Sequence, residues 1–231
     1  MKRTKVLILK FNNSITHEEI PLFRGAINAL MQPADILFHN HEEDGKYSYK
    51  YPLIQYKRIN GKAAIVCVGE GTNAIGKLFF ENQFDVQLGD RKASLEVESV
   101  NASQSIIQIW QDAFTYRIHR WLPLNKENYK EYCEMEGIAE RCTFLEKKLV
   151  GNILSLGKRL DVFFENRVAC TITELDGPYG VWLKDVKLMG FDATFKTNVS
   201  LPDFVGLGKS VSLGMGTVTR KHVKTNEIEN N

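Results

Sequence analysis

The chain has 231 residues, 43% hydrophobic and 25% charged, which is the make-up of a folded protein and not of a disordered or collagen-like one. Lys and Arg number 30 against 28 Asp and Glu, so the net charge of +2 does not mark a strongly basic nucleic-acid binder, although it allows local patches. No run approaches the ~18 consecutive apolar residues of a membrane span, and Val6 to Leu9 is too short for a secretory leader, which points to a cytoplasmic protein without membrane contact.

Lys5 to Lys10 is rich in Val, Ile and Leu and predicts a buried strand, broken at Asn12-Asn13-Ser14. Thr16 and Glu19 fit a capping box. Ile20, Phe23, Ile27, Leu30 and Met31 follow at helical spacing, and Pro33 ends that helix. Ile36 to Gly45 is a loop or short strand holding two histidines. Tyr47 to Arg58 and Lys62 to Val68 read as strands joined by a hairpin at Asn60-Gly61. Thr72 or Asn73 caps a short helix through Phe79, and strands are expected over 93–100 and 105–110. The order strand, helix, strand, strand, helix, strand is the split βαβ pattern of a ferredoxin-like domain.

A second round begins near Phe114. A strand over 114–124 leads to a loosely helical 126–136 and then to an amphipathic helix marked by Cys142, Leu145, Leu149, Ile153 and Leu156. Val168 to Thr173 leads to a turn at Asp176-Gly177-Pro178-Tyr179-Gly180. Strands over 181–188, 191–199 and 210–219 complete a sheet, with the second helix missing or shrunken. The fold class is α+β, two tandem ferredoxin-like halves of which the second is irregular. The expected domains are 1–112 and 113–224, with a polar tail over 225–231. Cys67, Cys133, Cys142 and Cys170 form no CxxC pair, which argues against a zinc ribbon and for reduced, partly buried thiols.

Three segments carry candidate chemistry. The first is Phe38-His39-Asn40-His41, where two imidazoles two residues apart can move protons near neutral pH. A solvated loop with incidental histidines is the bland alternative. A metal reading would need a third ligand from Glu42, Glu43 or His119, and ranks lower. The second is Lys46 to Lys62, which carries Lys46, Lys50, Lys57, Arg58 and Lys62 and no acid. Tyr47, Tyr49 and Tyr51 alternate within it, an interleaving that suits RNA, where bases stack on rings and phosphates meet cations. Strand propensity alone also explains tyrosine here, most strongly at Tyr51.

The third segment holds Gly206, Gly208, Gly214 and Gly216 around Lys209. Glycines let backbone N–H groups approach a phosphate, or simply make tight turns. Two nucleotide motifs fail on spacing: GxGxxG would need glycine at Val211, and a P-loop would need it at Asp203. Residues 184–224 carry a net +4, so the near-neutral total conceals two basic segments. On one face they would form a groove for a polyanion.

The tandem halves, the histidine loop after the first helix and the GLGxxxxxGxG stretch resemble the CRISPR-associated endoribonucleases that cut repeat transcripts into guide RNAs. The run FHNH…YxYPLIQYKRINGKAAIVCVGEG looks like one branch of that family. The resemblance implies a metal-independent cut without cofactor, by attack of a ribose 2′-OH on the adjacent phosphate, leaving a 2′,3′-cyclic phosphate and a 5′-OH. It implies His39 and His41 as the proton-transfer pair and Tyr47 as positioning the phosphate. Lys46, Lys50 and Lys57 are candidates for stabilising it, and Gly206, Gly208, Lys209, Gly214 and Gly216 for holding RNA and packing the halves. The implied partner is repeat RNA, with other CRISPR-associated proteins and a second copy of the chain as further candidates. Two alternatives stay open: an RNA-binding protein of the same fold without cutting, and a metal-dependent hydrolase.

Overall fold

The computed structural model describes residues 2–30, 50–76, 85–183 and 185–221. Strand β1 (Arg3–Ser14) is followed by helix α1 (Ile20–Leu30), then β2 (Ile54–Ile59) and β3 (Lys62–Val68). Helix α2 (Gly71–Ala74) precedes a short hairpin of β4 (Asp85–Leu88) and β5 (Arg91–Ser94), and β6 (Val97–Ile106) closes the first half. The sheet order is β2-β3-β1-β6, with every neighbour antiparallel, as the split βαβ pattern requires.

Local chemistry explains these elements. The Thr16 N–H donates to Glu19 Oε2 at 2.8 Å and the Glu19 N–H to Thr16 Oγ1 at 3.3 Å, so the capping box starts α1 as expected. Ile20, Phe23, Ala26 and Ile27 are its buried face. The β2–β3 hairpin turns at Asn60 (φ 52°) and Gly61 (φ 84°), two successive left-handed residues, as the sequence signal required. Asn12 to Ser14 does not break β1. Instead Asn13 Nδ2 donates to Ser94 O at 2.8 Å and its Oδ1 accepts from the Glu96 N–H at 2.9 Å, which carries the strand onward beside β6.

The second half runs β7 (Ile109–Trp121), α3 (Lys126–Glu134), α4 (Ile138–Arg159), β8 (Cys170–Leu183), β9 (Val186–Val199) and β10 (Thr217–Arg220). Its sheet order, β10-β7-β9-β8, repeats the pattern of the first half. No helix stands between β9 and β10 among the described residues. Asp176 to Gly180 is not a turn. β8 passes through it with a register shift between Asp176 and Tyr179, and both of those side chains are held, by Arg117 and Asp192 respectively. β10 is shorter than the expected 210–219 because residues 212 and 213 pair with β2 instead.

Two cores result. Leu9, Phe11, Phe23, Ile27, Tyr56 and Ile65 pack under α1. The larger core joins the halves: Val6, Leu53 and Val68 of the first meet Trp121, Leu149, Ile153, Leu156, Phe191 and Phe195 of the second. Among the described residues no helix is long and apolar enough to cross a membrane. The four cysteines are free, and Cys133 is exposed, unlike the partly buried thiols expected.

Candidate nucleic-acid interface

The loop between β9 and β10 occupies the place of the missing helix and lies along β2. The Gly206 N–H donates to Gln55 Oε1 at 2.9 Å, Tyr51 Oη donates to Gly206 O at 2.8 Å, and Gln55 Nε2 donates to Tyr51 Oη at 2.7 Å. The Tyr56 N–H adds a bond to Ser212 O at 3.2 Å. Val205, Leu207, Val211 and Met215 are buried beneath the loop, whereas Lys209 is exposed at its outer bend, its N–H bonded to Leu122 O at 3.1 Å. The loop therefore ties the two halves together and presents a cation.

Backbone geometry accounts for the glycines best at Gly214. Its φ is +81°, and a Cβ there would lie 2.6 Å from Ile20 Cδ1 at the start of α1. Strain in that region costs ~1–3 kcal/mol and overpacking a similar ~1–3 kcal/mol, so Gly214→Val is expected to lower the denaturant midpoint sharply. An unchanged midpoint would show that the loop and α1 yield freely.

Lys57 corrects its sequence-based assignment as a surface cation. It is fully buried on β2, and its Nζ has no hydrogen-bond partner among the described residues. A Cβ on Gly206 would stand 2.9 Å from that Nζ, which places the amine directly beneath the loop. Burial pushes its pKa down to about 7. The unfolded chain holds this proton up to a pKa of ~10.4, so between about 7 and 10 it binds more protons than the native state, and stability rises with pH across that window. We expect Lys57→Met to flatten that rise and to gain ~1–3 kcal/mol at neutral pH, read from urea titrations at several pH values. An unaltered slope would show that Lys57 is not its source.

A second group of charged side chains gathers where α1 begins and β7 ends. Asp192 on β9 is its hub: Oδ2 lies 3.1 Å from His119 Nδ1, Oδ1 accepts the Arg120 N–H at 2.8 Å, and Tyr179 Oη also donates to Oδ1. Burial opposes the Asp192 charge, but the bonds from His119, Tyr179 and the Arg120 backbone outweigh it and hold the carboxyl well below its usual range. Burial, then the charges of Arg120 and Arg58, push the His17 pKa down, so its imidazole is neutral near pH 7. His17 Nδ1 and Arg120 Nε are buried without hydrogen-bond partners among the described residues. The Gly216 N–H donates to Arg120 O at 3.0 Å, which links this group to the glycine-rich loop.

Of the sequence candidates, Gly206 and Gly214 thus meet the first half, at Gln55, Tyr51 and Ile20, whereas Gly208, Lys209 and Gly216 lie against Trp121, Leu122, Leu207 and Arg120 of the second. Lys50 is exposed, and Tyr51 is buried as a structural strut. His39, His41, Lys46 and Tyr47 lie outside the described residues. Sequence reasoning passed over His17, Arg120 and Asp192, and counted Arg58 only among the cations of residues 46–62. No spacing signal joins residues so far apart in the chain.

The family models for the Cas6b N-terminal and C-terminal domains match residues 2–106 and 108–221. That division falls between β6 and β7, whereas the expected boundary at 112 lies inside β7. An uncharacterised protein of Methanocaldococcus jannaschii is 39% identical over 103 residues, 45% of this chain and 69% of that protein. A crystal structure of Cas6b is 25% identical with a TM-score of 0.84, covering 95% of this chain and 100% of that one. Another, of the CRISPR RNA processing endoribonuclease Cas6b, has the same identity and coverage with a TM-score of 0.72.

Proposed function

The chain belongs to the Cas6b family, and from that premise we propose that it is an endoribonuclease that cuts CRISPR repeat transcripts into guide RNAs without a metal ion. The observation that carries this reading is the match of both domain models across nearly the whole described chain. Exposed cations support it physically, because Lys209 in the loop and Arg58 on β2 both reach solvent, where they can meet phosphates.

In this proposal His41 takes the proton from a ribose 2′-OH, and the freed oxygen attacks the adjacent phosphorus. The bond to the leaving 5′ oxygen breaks, and that oxygen takes a proton from His39. Tyr47 positions the phosphate, and Lys46 or Lys50 offsets the charge of the phosphorane, as preorganised cations do. Lys57 has no such role, since its amine is enclosed beneath the loop. Repeat RNA incubated with the protein should yield fragments of one length ending in a 2′,3′-cyclic phosphate and beginning with a 5′-OH. RNA bound but left intact would favour the non-cutting alternative. A 3′-OH with a 5′-phosphate would mean attack by water.

A further inference from the structure

Among the described residues, every sheet edge but one is guarded. In the second sheet, β10 is bonded along its outer side to the chain that leads into the glycine-rich loop: the Phe204 N–H donates to Val218 O at 2.7 Å and the Val218 N–H to Val205 O at 2.9 Å. At the other edge, β8 carries two register shifts, Pro178 and the exposed acids Glu174 and Asp176. In the first sheet the outer side of β2 is bonded to residues 212 and 213. The strands of the β4–β5 hairpin have only four residues each. Short length, bulges, proline, charge and a covering loop are the means by which edge strands avoid pairing with other chains.

The remaining edge, β6, has none of these beyond a register shift next to Val97. From Ser99 to Ile106 its ladder with β1 is regular, and no described strand lies beyond it. Val97–Ile106 contains no Lys, Arg, Pro or Gly, and its one charge, Glu98, is held by Lys62 Nζ at 2.9 Å. Residues 100–104 are all exposed, and Val100 is 46% exposed. Successive strand residues point to opposite faces, so both faces of this stretch are open as well as its outer edge.

Such an edge offers a row of N–H and C=O groups to another strand, and the sequence of β6 says which one it fits. Two copies of one strand pair antiparallel across a two-fold axis that passes through a residue opposed to itself. With the axis at Asn101, Val100 opposes Ala102 on one face of the sheet. On the other face Ser99 opposes Ser103, and the two Asn101 amides meet. At each end Gln104 of one copy comes beside Glu98 of the other, an amide donor beside a carboxylate. No like charges are opposed, and opposed side chains ~4.5–5.5 Å apart are close enough for each of these pairs to interact. An axis at Ala102 would set Val100 against Gln104, and one at Val100 would set Glu98 against Ala102, so the matching belongs to Asn101.

We propose that the chain forms a two-fold homodimer by antiparallel pairing of β6 with β6 about Asn101, which joins the first sheets of two copies into one. No residue of β6 belongs to the glycine-rich loop or to the group around Asp192, and the proposal does not depend on the cleavage reading.

The test is sedimentation equilibrium of the full chain without RNA. One strand edge per copy makes a small interface, so a dimer with a dissociation constant of about 1–100 μM is expected. Asn101→Asp and Asn101→Lys, at an exposed position, each set like charges against each other on the axis and should each raise that constant ~10-fold or more. Mixed in equal amounts, the two variants should associate at least as tightly as the parent, because a carboxylate then faces an ammonium. That recovery excludes a folding defect as the cause of the separate losses. A monomer up to ~500 μM would leave the edge to a strand of another protein and overturn the proposal. A dimer that both variants retain in full, or losses that mixing does not repair, would overturn it as well, since neither follows from self-pairing about Asn101.

Discussion

His41→Ala is expected to cut repeat RNA ~100- to 10,000-fold more slowly than the natural chain, the range of a lost general base. The loss should fall on the chemical step. The exposed Lys209 and Arg58 and the loop that joins the halves are untouched by the change, so RNA affinity should stay near that of the parent. His39→Ala should also slow cleavage, and the pH profile divides the roles. Loss of the base removes the acidic limb of the rate profile, and loss of the acid removes the alkaline limb. Single-turnover rates with saturating protein isolate this step from binding. Wild-type rates from both variants would move the chemistry away from residues 39–41. The neutral His17, already inside a group of charged side chains, would then be the next histidine to test.

What the sequence made legible follows the range of the physics that acted. The capping box at Thr16 and Glu19 and the turn at Asn60-Gly61 are decided within a few residues, and both stand as read. Gly177-Pro178 carries an equally strong local signal but yields to tertiary bonds, because Arg117 and Asp192, on neighbouring strands, hold the flanking Asp176 and Tyr179 in the ladder. Lys57 was misread for the same reason. Alternation and charge mark it as a surface lysine, yet a loop some 150 residues later closes over its strand. The pairing of β2 with residues 212 and 213 also explains why the glycine-rich stretch is neither a simple turn nor a long final strand. The group around Asp192 had no sequence signature at all, since it forms only when α1, β7 and β9 meet.

Replacing the single ribose 5′ of the scissile phosphate by deoxyribose should abolish cutting while the RNA still binds. The nucleophile of the proposed reaction is the 2′ oxygen of that ribose, and the substitution removes it and nothing else of charge or size. The phosphates that would meet Lys209 and Arg58 remain, as do the bases, so the contacts that hold the strand persist. Cleavage of the unmodified RNA should continue at its full rate in excess chelator, because two proton transfers and fixed positive charge supply what the reaction needs. A metal-activated water behaves oppositely: it attacks phosphorus without help from a 2′-OH and stops when its ion is withdrawn. The two arms therefore separate the mechanisms even where the histidine variants do not, since His39 and His41 could serve as ligands or as proton carriers and lose activity in either case. Cleavage of the deoxy substrate at the normal position, or full loss of activity in chelator, would exclude 2′-OH attack and return the His-x-His pair to metal binding.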